Sequence, residues 1–215
     1  MFLRHPLLSS WRVDHGFGTI QSPARNDCRT VRQVHGTRII ALPEQVDGGG
    51  MIEADGLLTE SDGVEVGVWT ADCLPVLMAT ENGHCVGAFH AGWRGAVSGI
   101  VVQGLLKLID LSGEDSSRIR VVLGPAIGPC CFEVGPDVWD AVESKTPRYV
   151  QKDKRTLDLW DLVTFQLEES GLSPASVGRV SLCTRCHPDL FFSHRGWGPD
   201  RKGRSMLNYI RPPGK

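Results

Sequence analysis

The dipeptide Asn82-Gly83 stands between two apolar runs, Leu74–Ala79 and His84–His90, and is the tightest local constraint in the chain. Asn-Gly favours the positive-φ turn whose twist matches two antiparallel strands, so the runs are expected to fold back on each other as a hairpin. Upstream, Val64, Val66 and Val68 alternate with Glu65, Gly67 and Trp69. That period of two predicts another strand. Reactive side chains flank the hairpin. Cys73 lies in an Ala-Asp-Cys turn at its start, and His90 ends it before the loop Ala91-Gly92-Trp93-Arg94-Gly95. A thiol and an imidazole at strand ends, beside loops, are where chemistry is expected.

The other segments are read around this one. Thr30–Ala41 reads as strand, glycine break, strand, with His35 at the break, and His15 reads as a turn residue. Val46–Met51, with Asp47 and three successive glycines, reads as a flexible loop, and Asp55-Gly56 as a turn before Leu57-Leu58. Val97, Ile100, Val101, Leu105 and Leu108 share one face of a predicted helix, Ala96–Ile109. Its first amides are candidates to hold an anion. Ile119–Leu123 reads as a buried strand, and the Gly/Pro-rich stretch Gly124–Cys131 as a loop. Pro136 opens a short helix to Val142, Lys145–Lys154 is a polar excursion, and Asp158 caps a helix Leu159–Ser170 that stops at Gly171. Val177–Leu182 and Ser205–Ile210 complete the strands, with a loose tail beyond. Strands interleaved with helices, plus one tight hairpin, predict an α/β (α+β) fold with a mixed β-sheet covered by helices.

The 215 residues suit one domain, 1–215, and 41% hydrophobic content supports a substantial core. A net charge of −2 provides no electrostatic footprint for nucleic acid or an anionic membrane. The opening MFLRHPLLSSW lacks a secretory signal's sustained apolar run, and no stretch reaches the length of a membrane span. Seven cysteines, an odd number, fit reduced thiols better than a disulfide framework. A cytoplasmic location is therefore expected.

Three residues, His35, Cys73 and His90, each end a predicted strand. Imidazole and thiolate suit Zn²⁺, and three protein donors with a fourth position open are the layout of a catalytic site. Cu²⁺ binds such donors more tightly still, so copper is an alternative occupant. The same atoms also suit a cysteine hydrolase, with Cys73 as nucleophile, His90 as base and Asp72 or Glu133 as the orienting group. Spacing does not separate the two readings. Cys183-x-x-Cys186-His187 with Cys130-Cys131 has half of a structural zinc signature, but adjacent cysteines are poor chelate partners. Buried thiols near a site are the preferred reading there. Arg94 beside Trp93, and Arg195 beside Phe191-Phe192, offer guanidinium forks for phosphate and rings for a planar ligand.

Read together, these motifs resemble the laccase-domain proteins, also described as multicopper polyphenol oxidases or purine nucleoside phosphorylases. The resemblance runs through Gln33-Val34-His35-Gly36, Ala54-Asp55-Gly56, Thr70-Ala71-Asp72-Cys73-Leu74-Pro75-Val76 and His90-Ala91-Gly92-Trp93-Arg94-Gly95. It continues with Ile127–Gly135, Cys183-Thr184 and Phe191-Phe192-Ser193-His194-Arg195. The likeness implies a layered α/β sandwich and a metal held by His35, Cys73 and His90. It further implies phosphorolysis of adenosine, inosine and methylthioadenosine, and deamination of adenosine. A copper-dependent polyphenol oxidase and a role in peptidoglycan editing are the family's other described activities. The expected partners are a purine nucleoside and phosphate, held by Arg94, Arg195 and Trp93, with Asp72 and Glu133 in supporting or proton-transfer roles. The chain is expected to act as a monomer or small homo-oligomer. Between Gly18 and Gln33 only Thr19–Arg32 remains where family members usually carry a longer insert, so a reduced N-terminal pocket wall is expected.

Overall fold

A computed structural model describes residues 1–43, 51–151 and 155–214. Along the chain lie α1 (Pro6–Ser9), β1 (Asp14–Gly16), β2 (Ile39–Leu42), β3 (Gly56–Thr59), β4 (Val66–Thr70), β5 (Leu74–Thr80) and β6 (Val86–Ala91). They are followed by α2 (Trp93–Val97), α3 (Ile100–Ser112), β7 (Ile119–Leu123), α4 (Pro136–Lys145), α5 (Leu159–Glu169), β8 (Val177–Arg179), α6 (His194–Trp197) and β9 (Met206–Arg211).

The strands form a mixed six-stranded sheet in the order β2-β3-β6-β5-β7-β8 and a three-stranded sheet in the order β1-β9-β4. Both faces of the large sheet are covered. Val76 and Met78 of β5 pack with Phe89, Ile100, Leu105, Leu162 and Leu167 on the helix side. Leu77 and Ala79 face the other way, into a second cluster with Val66, Val68, Ile210 and Leu8 from the small sheet and α1. This explains why Leu74–Ala79 is apolar throughout instead of alternating: every residue of β5 is buried. Each fully buried Leu or Phe contributes on the order of 1.5–3 kcal/mol relative to exposure.

The Asn82-Gly83 hairpin forms, with Gly83 at φ +67°, although β6 begins at Val86 and not at His84. The Val64–Trp69 strand forms as β4, but it leaves the hairpin's sheet and pairs with β9. Thr30–Ala41 is not two strands. Its first half makes only an isolated bridge, Arg32 to Glu53, just after another from Arg29 to Val66, before β2 starts at Ile39. The predicted helix Ala96–Ile109 is broken at Gly99, whose φ of +77° ends α2 and starts α3. Most of loop 91–95 is thereby drawn into α2, and the Ala96 N–H is already bound to the Gly92 carbonyl at 2.8 Å. The amides after Gly95 are thus not free to hold an anion. Asp158 caps α5 as expected, accepting from the Asp161 N–H at 3.1 Å. His15 sits in β1 and not in a turn. It is fully buried, donating from Nδ1 to the Val13 carbonyl and accepting the His5 N–H at Nε2, both at 3.0 Å. The strand expected over Val177–Leu182 ends at Arg179, and Arg211 of the tail is bound to Asp14 at 2.7 Å. The glycine-rich part of the loop Val46–Met51 and the end of Lys145–Lys154 lie outside the described residues.

Candidate metal and substrate site

Sheet register builds the site. In the antiparallel pair β3–β6, Gly56 faces Phe89, so the next residues outward, Asp55 and His90, meet. The His90 N–H donates to the Asp55 carbonyl at 2.7 Å, and His90 Nδ1–H donates to Asp55 Oδ1 at 2.8 Å. In the pair β5–β6, Leu74 faces Ala91, which sets Cys73 beside Gly92. His35 comes from the irregular segment before β2, with φ +61°, a conformation rare outside glycine. Asp55 holds that segment, its carboxylate accepting the N–H groups of His35 at 2.9 Å, Gly36 at 2.7 Å and Val34 at 3.3 Å.

His35, Cys73 and His90 each offer one donor atom, and these atoms lie within 4.8 Å of one another. Cys73 Sγ is 3.8 Å from His35 Nε2, and the two imidazoles meet edge-on with centroids 4.7 Å apart. The donors fit a divalent ion on two further counts. Asp55 occupies His90 Nδ1 and so fixes the other ring nitrogen as the free donor, the arrangement found behind metal-bound histidines. Gly92 leaves space for the group: a Cβ there would lie 2.8 Å from His35 Cδ2 and 3.2 Å from Cys73 Sγ.

The electrostatics are those of a primed thiol. Burial is the largest influence on Cys73 and pushes its thiol up, but the contacts with His35 and His90 outweigh it and bring the pKa down to about 7. On His90 burial also acts most strongly, disfavouring the charged ring, yet Asp55 and Cys73 reverse it and raise the pKa to about 9. Asp55 is pushed up by burial, but its bonds from His90 and Gly36 hold it below the usual carboxylate range.

The triad opens into a cavity of about 540 Å³ whose walls include Trp93, Arg94, Phe132 and Arg195. Arg94 lies over the Trp93 ring at 4.3 Å, and Arg195 lies 5.4 Å from the Phe132 centroid. Both arginines are exposed. Asp72 also lines the cavity, at φ +89°, and each of its carboxylate oxygens accepts one hydrogen bond, from Thr184 Oγ1 at 2.6 Å and from the Arg195 N–H at 2.7 Å. Glu133 is not brought to the triad. It lines a neighbouring cleft of about 830 Å³, and only its backbone carbonyl reaches the site, accepting from Arg195 Nη2 at 3.1 Å. The carboxylate that orients His90 is therefore Asp55, not Asp72 or Glu133. In the sequence Asp55 reads as a turn residue, although the Ala54-Asp55-Gly56 motif that carries the resemblance contains it.

The four other cysteines singled out above also converge: Cys130, Cys131, Cys183 and Cys186 place their sulfurs within 4.8 Å of one another. Only Cys183 of the four is buried.

The family model of the multi-copper polyphenol oxidoreductase laccases matches residues 16–211. The chain belongs to that family. It is 34% identical over 147 residues to human purine nucleoside phosphorylase LACC1, a match covering 65% of this chain and 34% of that protein. It is 33% identical over 181 residues to a purine nucleoside phosphorylase of Xylella fastidiosa, covering 77% of this chain and 65% of the relative. The chain thus spans less than two thirds of the length of these relatives. Its fold superimposes on the crystal structure of YlmD from Geobacillus stearothermophilus with a TM-score of 0.82, at 25% identity, covering 99% of this chain and 98% of that one. The mixed layered fold is the family's. Among the described residues, no helix is long and apolar enough to cross a membrane.

Proposed function

We propose that the chain is a metal-dependent purine nucleoside phosphorylase whose His35, Cys73 and His90 hold Zn²⁺ at the base of the cavity. One observation carries this reading: two imidazoles and a thiol meet within 4.8 Å, at a cavity lined by two arginines and three aromatic side chains, Trp69, Trp93 and Phe132. When bound, the ion supplies positive charge against negative charge developing on a substrate oxygen. Arg94 and Arg195 bind phosphate, and Trp93 and Phe132 offer faces for a purine. Phosphorolysis then joins a phosphate oxygen to ribose C1′ as the bond from C1′ to the base breaks, the base leaving with the electron pair and taking up a proton. Asp72 positions Arg195 through its backbone, and its carboxylate in the cavity wall is the candidate to pass that proton. Methylthioadenosine phosphorolysis uses the same contacts, whereas adenosine deamination adds water at purine C6 and releases ammonia, leaving the bond from C1′ to the base intact.

Incubating the zinc-loaded protein with inosine or adenosine, with and without phosphate, tests the reading. Phosphate-dependent release of hypoxanthine or adenine is expected, with inosine from adenosine when phosphate is withheld. Absence of every product, with metal bound, would overturn it.

A second reading has a specific observation in its favour. Cys73, His90 and Asp55 form a thiol–imidazole–carboxylate series, the arrangement of a cysteine hydrolase such as one acting on peptidoglycan. Activity that survives complete metal removal and is abolished by Cys73→Ser would establish that alternative. A copper oxidase is less well supported, because several coppers call for more imidazole donors than the two gathered here among the described residues.

A further inference from the structure

We propose that Cys130, Cys131, Cys183 and Cys186 form a second metal site, a tetrathiolate centre that binds Zn²⁺ and clamps two loops behind the substrate cavity. Cys186 Sγ lies 3.6 Å from Cys130 Sγ and 3.4 Å from Cys131 Sγ. Zn–S bonds of about 2.3 Å in a tetrahedron put sulfurs roughly 3.8 Å apart, so small side-chain rotations complete the geometry. The cluster is compact enough for a single ion.

The backbone explains how adjacent cysteines, which looked unsuitable in sequence, serve together. Residues 128–132 make a tight turn in which the N–H groups of Cys131 and Phe132 both reach the Gly128 carbonyl at 2.9 Å. The Cys183-x-x-Cys186 segment is pinned opposite by the Thr184 N–H to the Ala126 carbonyl at 2.9 Å. Successive residues of one turn thus approach the same cysteine of the other loop. The Gly128 N–H donates to Cys183 Sγ at 3.3 Å, the kind of bond a thiolate accepts more strongly than a thiol.

Packing does not account for the cluster. Cys130 and Cys186 are exposed and Cys131 is half-buried, whereas cysteines retained as small apolar residues are buried. The consequence for the site is direct. The Cys183 loop carries Thr184, whose hydroxyl holds Asp72, and the Cys131 turn carries Phe132 of the cavity wall. An ion here has no redox step and moves no proton. It fixes the spacing of those two loops.

The test is metal analysis of chain purified under reducing conditions from zinc-replete culture. About two zinc ions per chain are expected, falling by one in Cys183→Ser/Cys186→Ser. Because that variant can lose its fold, the deciding protein is His35→Ala/His90→Ala, in which the triad is removed and the thiols are untouched. It is expected to retain one zinc. With Co²⁺ in its place, the intense sulfur-to-metal absorption and visible bands of four-thiolate tetrahedral coordination should appear. Four thiols should resist alkylation until a chelator is added. The proposal is overturned if this variant, folded by circular dichroism, carries no metal, or if its four thiols alkylate freely. A disulfide among them in the intact mass, or iron in place of zinc after zinc-replete growth, would also overturn it. These outcomes do not depend on whether the triad binds metal.

Discussion

Asp55 Oδ1 lies 2.8 Å from His90 Nδ1, and the same carboxylate accepts the backbone N–H groups that flank and include His35. One buried acid therefore orients both histidines of the triad, one through its ring and the other through its main chain. Asp55→Asn keeps an acceptor but loses the charge. It is expected to weaken zinc binding by about 10–100-fold, measured by competition with a chromophoric chelator. Asp55→Ala also strands the backbone donors at His35 and Gly36. At roughly 1–3 kcal/mol for each unsatisfied group, it should lower Tm markedly where Asn does not.

Metal affinity should fall with acid. Without the ion, the Cys73 thiol titrates at about 7 and His90 at about 9. The metal must displace a proton from His90 below about 9, and from both groups below about 7. Affinity is then expected to be level above about 9, to fall by about one power of ten per pH unit between these values, and by about two below 7. Zinc titrations from pH 6 to 10 check the slopes, and a flat profile would contradict the assigned donors.

Arg195→Ala should separate the two chemistries. Loss of a charged hydrogen bond to phosphate is worth about 1.5–3 kcal/mol, which predicts an increase of about 10- to 100-fold in KM for phosphate. Adenosine deamination, which uses no phosphate, should change little. Arg94→Ala is expected to behave likewise, read from initial rates at varied phosphate.

Gly92→Ala probes the space at the triad. Its backbone, at φ −62° and ψ 162°, suits any residue, so the effect is steric alone. The new methyl meets His35 at 2.8 Å and Cys73 Sγ at 3.2 Å, and zinc affinity should drop while Tm moves little. Gly104→Ala is the converse. Its Cβ would overlap the buried Phe89 ring where α3 crosses β6, with Cζ at 2.7 Å. Overpacking of this kind costs about 1–3 kcal/mol. In a domain of this size each kcal/mol lowers Tm by roughly 2–4 °C, so differential scanning calorimetry should show the loss with metal content unchanged.

What was readable in advance follows the range of the interaction. The hairpin at Asn82-Gly83, the Asp158 cap and the part of the apolar helix face from Ile100 to Leu108 depend on residues a few positions apart, and each formed. The break at Gly99 is not legible in the sequence, because one glycine in a helical pattern is tolerated until the tertiary path requires a positive φ there. The alternation over Val64–Trp69 predicts a strand, formed as Val66–Thr70, but not its partner, since periodicity records which face is buried and not against what. In sequence Asp72 and Glu133 read as the candidate orienting acids and Asp55 as a turn residue, because neither adjacency nor charge reveals which acid lies opposite His90.

The sequence by itself determined most of the longer elements, the covered hairpin at the centre and the kinds of donor available: two imidazoles, a thiol and a group of further cysteines. Only the tertiary structure decided which of them meet. Cys73 and His35 are 38 residues apart, and Asp55 and His90 are 35 apart. Their contact depends on strand register, Gly56 opposite Phe89 and Leu74 opposite Ala91. A shift of one residue would turn the side chains to the opposite face and disperse the site. Register is set by the burial of both faces of the sheet at once, a property of the packed whole that no short stretch of chain contains.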